Sequence, residues 1–74
     1  MGGRLWTAAE YNQLEAAIAN ASRVAIVRQG GELVVVPRRL GLRGGRELIE
    51  ALHPATGEII TLMLDEIERI EDVS

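Results

Sequence analysis

The chain has 74 residues, a net charge of −3 and no cysteine, which fits one domain of modest stability and excludes a disulfide framework or a thiolate zinc site. With a single histidine, nitrogen-ligand metal sites are not expected either. No apolar run approaches the ~20 residues of a membrane span, and no signal-peptide pattern opens the sequence, so a soluble cytoplasmic protein is expected.

The charge is unevenly placed. Residues 1–46 carry seven arginines against three acidic residues, a charge of +4, and residues 47–74 carry one arginine against eight acidic residues, a charge of −7. All eight basic residues are arginine, the side chain suited to bidentate contact with phosphate and carboxylate. A GC-rich coding sequence would produce the same bias, along with the many Ala, Gly and Val.

Taken in order, Met1–Gly3 reads as a loose terminus. Thr7 is a good N-cap, and Glu10 three residues on completes a capping box. Trp6 before the cap and Tyr11 after it have the spacing of a hydrophobic staple. A helix over 8–20 follows, with Tyr11, Leu14, Ala17, Ile18 and Ala21 as its apolar stripe. The small residues in that stripe suit close packing on a sheet. Its expected place is over the outer face of the strand at 58–64 or over one mouth of a barrel. Trp6 and Tyr11 are the two aromatics of the chain. The staple uses both, which leaves no aromatic platform for stacking bases.

Residues 23–29 (RVAIVRQ) predict a first strand, Gly30-Gly31 a two-residue turn, and residues 32–36 (ELVVV) a second strand. Pro37 should end its pairing or place it at an edge, because proline donates no backbone hydrogen bond. The stretch from Arg38 to Arg46 has four arginines and three glycines in nine residues. It reads as a flexible, exposed basic connection.

Residues 46–52 (RELIEAL) could be helical by the spacing of Leu48 and Leu52. Two glycines before and a proline after favour a third strand. In His53-Pro54-Ala55-Thr56-Gly57, Pro54 presets a type I turn and Gly57 can take the positive φ that closes it, so a hairpin is expected. In the fourth strand, 58–64, both Ile60/Leu62/Leu64 and Ile59/Thr61/Met63 are largely apolar, which predicts cover on both faces. Ile67, Ile70 and Val73 are three apart, so a single helical turn should begin at Asp65-Glu66 and lead to a short strand at about 69–73. The whole is expected to be one domain over 1–74, mostly β, with a helix at about 7–21 and a five-stranded SH3-like or Sm-like small barrel at about 23–73. The competing arrangement is an α+β antiparallel sheet with the helix packed on one face.

Several segments together resemble the WYL domain over about residues 24–73. They are Val36-Pro37-x-x-Leu40-Gly41, Gly44-Gly45-Arg46, Leu48-Ile49-x-Ala51, Gly57, Leu62-x-Leu64-Asp65-x-Ile67 and Ile70-Glu71. The resemblance implies a bacterial regulatory protein. It also implies a barrel that senses ligands, often nucleic acid, through a basic and aromatic groove, with a helix-turn-helix elsewhere in the chain. This sequence departs from that pattern in three ways. Glu47-Leu48-Ile49 stands where the family has Trp-Tyr-Leu, Glu66 stands where it has an arginine, and the residues outside the barrel hold one helix rather than two.

Catalysis has little to draw on. The serines are Ser22 and Ser74, and His53 beside Pro54 reads as a turn residue with a backbone contact. The acidic run 65–72 lacks the spacing of a calcium loop and reads as a solvated face. The Gly30-Gly31 and Gly44-Gly45 pairs open no helix, so neither is a phosphate cradle. No enzyme activity, metal or cofactor is expected. Two binding roles remain. In the first, Arg28, Arg38, Arg39, Arg43 and Arg46 converge at one end of the barrel and bind nucleic acid or another anionic ligand. In the second, apolar strand faces and the charge split mediate binding to another protein or to a second copy of this chain, with no nucleic acid.

Overall fold

The computed structural model describes residues 6–73; the terminus expected to be loose at Met1–Gly3 lies outside them. Helix α1 spans Ala8–Asn20. The Thr7 hydroxyl accepts the Glu10 amide hydrogen at 3.2 Å, and the Glu10 carboxylate accepts the Thr7 amide hydrogen at 2.9 Å. This reciprocal capping box satisfies amides that a helix start leaves without partners. The Trp6 and Tyr11 rings lie 5.6 Å apart between centroids, which is the expected staple. Ala21 ends the helix with φ +53°, and the amides of Ala21 and Ser22 bond back to the last-turn carbonyls.

Five strands follow: β1 Val24–Arg28, β2 Gly31–Arg43, β3 Arg46–Leu52, β4 Ile59–Met63 and β5 Arg69–Asp72, with a 3-10 turn at Leu64–Glu66 before β5. They form one antiparallel sheet in the order β4-β3-β2-β1-β5. The architecture is mostly β, with one helix and a sheet that is not closed into a barrel. Its edges, β4 and β5, are only five and four residues long. The helix and the residue before its cap contact this side of the sheet: Trp6 Nε1 donates to the Leu64 carbonyl of the 3-10 turn at 3.0 Å, and Gln13 Nε2 of α1 donates to the Ile70 carbonyl of β5 at 3.3 Å.

Three expectations about the strands need correction. The first turn is Gln29-Gly30, one residue earlier than expected. Arg28 pairs with Gly31, and both turn residues have positive φ, +48° and +75°, the geometry that matches strand twist. Second, β2 neither stops at Pro37 nor lies at an edge. It pairs with β1 through Val35 and with β3 from Val36 onward, with a bulge at Arg38 between Pro37 and Arg39. Proline is tolerated there for a local reason. The His53 amide bonds the Glu58 carbonyl at 2.8 Å, so alternation along the hairpin turns the polar backbone of Ala51 toward β4. The Pro37–Ala51 pair therefore needs no hydrogen bond, and the proline nitrogen faces the side where β1 has not begun. Third, residues 38–46 are not a loop. They are the second half of β2, a turn at Gly44-Gly45 with φ +59° and +79°, and the start of β3.

The core lies inside the bent sheet, closed by α1. Leu14 and Ala17 of the helix pack with Val24, Ile26, Val35, Ile49, Leu62, Leu64, Ile67 and Ile70. No polar or charged residue is buried among those described. β4 is covered on one face only: Leu62 is buried, while Ile59 on the other face is 71% exposed. The expected second cover is missing because α1 lies on the inner side of the sheet. No helix of the described residues is long and apolar enough to cross a membrane.

Candidate binding surface

The long β2–β3 hairpin positions most of the arginines. Cross-strand partners share a face of the sheet, so the pairing of Arg39 with Glu50 sets them side by side on the outer surface. Arg39 Nε and Nη2 donate to the two Glu50 oxygens at 2.7 and 3.1 Å. This fork holds the Glu50 carboxyl below its ordinary pKa, with a further favourable charge from Arg43, and raises Arg39 above its own.

At the other side of the hairpin, Arg46 makes a second fork to Asp65, with 3.0 Å from Nε and 2.7 Å from Nη2. The bond to Arg46 pushes the Asp65 carboxyl down and Arg46 up. Glu66 next to it lies 3.9 Å from both Arg46 and Arg28. The five arginines thus do not converge at one end. Arg28 and Arg46 meet at Glu66 of the 3-10 turn, with Arg43 paired opposite Arg46 at the hairpin tip, while Arg38 and Arg39 lie farther along β2 at the bulge. Arg38 and Arg43 are exposed and hold no carboxylate within ion-pair distance among the described residues. A groove of about 180 Å³ runs beside the bulge, lined by Arg38, Arg39, Glu50, Leu52 and Ile59.

A second hollow of about 220 Å³ has Trp6, Tyr11, Arg46, Glu47 and Asp65 around it. The Tyr11 hydroxyl donates to Glu47, and that bond raises the phenol pKa. Glu47 therefore anchors the helix to β3. Nothing in the linear spacing indicated this partner, 36 residues away.

His53 Nδ1 accepts the amide hydrogens of Ala55 and Thr56 at 3.1 and 3.4 Å, so that nitrogen serves the turn, as expected. The acidic segment is more engaged than a solvated face would be: beyond Asp65 and Glu66, Glu71 accepts from Arg69 at 2.7 Å and Asp72 from Gln13 at 3.3 Å. Among the described residues no group of three or more His, Cys, Asp or Glu could hold a metal ion. Comparison of the sequence with protein-family models and with curated proteins finds no match in either.

Proposed function

We propose that this chain is a small, non-enzymatic, regulatory binding module of WYL-like type on an SH3-like or Sm-like plan, taking nucleic acid or another anionic ligand through the arginines of β2. The observation that supports it is the Arg46–Asp65 fork. It joins the Gly44-Gly45-Arg46 segment to the Leu64-Asp65 corner, two separate parts of the resemblance. Arg38, exposed beside the groove, and Arg43, exposed at the tip of the β2–β3 hairpin, are the first contacts for phosphate. Arg39 can add to them only by leaving Glu50.

A second reading, interaction between protein chains without nucleic acid, is favoured by a different observation. Arg28, Arg39 and Arg46 are already engaged by the chain's own carboxylates, while β4 leaves one sheet edge bare.

Light scattering coupled to size exclusion separates the two, run at low and high salt with and without a labelled single-stranded oligonucleotide. The first reading expects co-elution at low salt, release at high salt as counterions compete, and loss of binding in the Arg38→Ala/Arg39→Ala variant. An oligomer indifferent to the oligonucleotide selects the second.

A further inference from the structure

We propose that β4 is a self-complementary docking edge, at which two copies of this chain pair β4 against β4 in antiparallel fashion about a two-fold axis at Thr61. The proposal rests on the second reading above and narrows it to one surface and one register.

The alternation of backbone direction comes from the hairpin. With His53 and Glu58 bonded across its mouth, the pairs Ala51–Ile60 and Ile49–Leu62 carry the β3–β4 hydrogen bonds. The amides and carbonyls of Ile59, Thr61 and Met63 therefore point away from the sheet. Natural sheets blunt such an edge with charge, proline, a bulge or a covering element. β4, with the sequence IITLM, has no charge and no proline. No register shift interrupts its pairing. Ile59 is 71% exposed and Thr61 is exposed.

The opposite edge is treated differently. β5 carries Arg69, Glu71 and Asp72, and Gln13 of α1 reaches both the Ile70 carbonyl and the Asp72 carboxylate. A head-to-tail addition of β4 onto β5 would have to displace that side chain.

β4 suits a second β4 on two counts. In a register with Thr61 opposite Thr61, Ile59 of each copy faces Met63 of the other and Ile60 faces Leu62. Exposed-face residues then meet exposed-face residues, and core-facing ones meet their like, so the pleat continues across the axis. The charge argument agrees. Among the described strands β4 is the one without an ionisable side chain, so pairing it with itself opposes no charges. The neighbouring charges of the central row, Glu50 and Arg39, already neutralise each other. The contact is isologous and closes at two copies. A five-residue edge buries less than a standard interface, so the dimer should be weak and concentration-dependent.

The test uses the full chain. Sedimentation from about 1 µM to about 1 mM reads its mass, and amide hydrogen exchange by NMR is followed over the same series. A monomer–dimer equilibrium is expected, with the amides of Ile59, Thr61 and Met63 gaining protection as the dimer forms, while those of Ile60 and Leu62 are protected throughout. Ile59→Lys, at an exposed position, should keep the monomer's circular dichroism and weaken the dimer by about tenfold or more. Because the chain has no cysteine, Thr61→Cys gives a single thiol that a short bifunctional reagent should join across the axis, whereas exposed Ser22→Cys should remain unlinked. A monomer at every concentration overturns both this proposal and the self-association reading. A dimer whose Ile59, Thr61 and Met63 amides stay unprotected overturns the β4 proposal and leaves self-association standing. Longer oligomers with new protection in β5 do the same.

Discussion

Leu48 is buried on the outer face of the sheet although no helix covers it there, and Gly41 is the reason. A Cβ at position 41 would lie 3.0 Å from Leu48 Cδ1, so the absent side chain gives Leu48 its bed. Gly41→Val should therefore destabilise the fold by about 1–3 kcal/mol through overpacking, measured by urea denaturation, with Gly41→Ala milder. Ala21 presents the reverse case. It holds φ +53° at the end of α1, a conformation that costs an alanine and suits a glycine. Ala21→Gly is expected to raise stability by up to about 1 kcal/mol in the same measurement, net of the freedom glycine adds to the unfolded chain. At this scale the sequence was readable where partners lie within one turn: Thr7 with Glu10, and Trp6 with Tyr11. It was not readable for Arg39 with Glu50 or Arg46 with Asp65. Those partners depend on strand register: the Gly44-Gly45 turn sets Arg39 opposite Glu50, and the 53–57 hairpin aligns β3 with β4 so that Arg46 reaches Asp65, both beyond the reach of local spacing.

The five strands, the helix and the 53–57 hairpin follow from apolar periodicity and turn residues. β2 was the element misjudged. Pro37 and the Arg/Gly content of 38–46 are ordinary marks of a loop. They become strand because the bulge lets one continuous segment serve β1 with its first half and β3 with its second. The same bend forms the concavity that α1 fills. Leu14 is wholly buried there among residues from β1 to β5. Leu14→Ala should cost about 2–5 kcal/mol, a large share of what so small a domain has. Loss of the cooperative thermal transition by circular dichroism is the expected result. The apolar face of Ile59 and Met63 was expected to be covered because apolarity alone does not say which side of a strand a helix will take.

Across the whole molecule, three arginines of the basic first half meet carboxylates of the acidic second half: Arg39 pairs with Glu50 across the β2–β3 hairpin, and Arg28 and Arg46 reach the closing corner at Asp65 and Glu66. Glu50 and Asp65 have folded-state pKa values below their ordinary ones because Arg39 and Arg46 grip them. Their contribution to stability is present above the ordinary carboxylate range and is lost as pH falls through the depressed values. Urea midpoints should thus decline as the solution is acidified below that range. In Arg46→Gln the decline should be shallower, because Asp65 then has less to lose. The arginines, read from the sequence as a ligand surface, are drawn into this framework wherever register brings a carboxylate opposite. That leaves Arg38 and Arg43 as the residues of the candidate site with guanidinium groups still turned to solvent.

The indole of Trp6 is the chain's one tryptophan, and its N–H is bonded to the Leu64 carbonyl. Emission from this protein therefore reports on a single joint, where the segment leading into α1 clasps the corner before β5. A fluorescence change on binding or unfolding would announce that the clasp or the hollow beside it had been disturbed, whereas an event confined to the β4 edge would pass without colour.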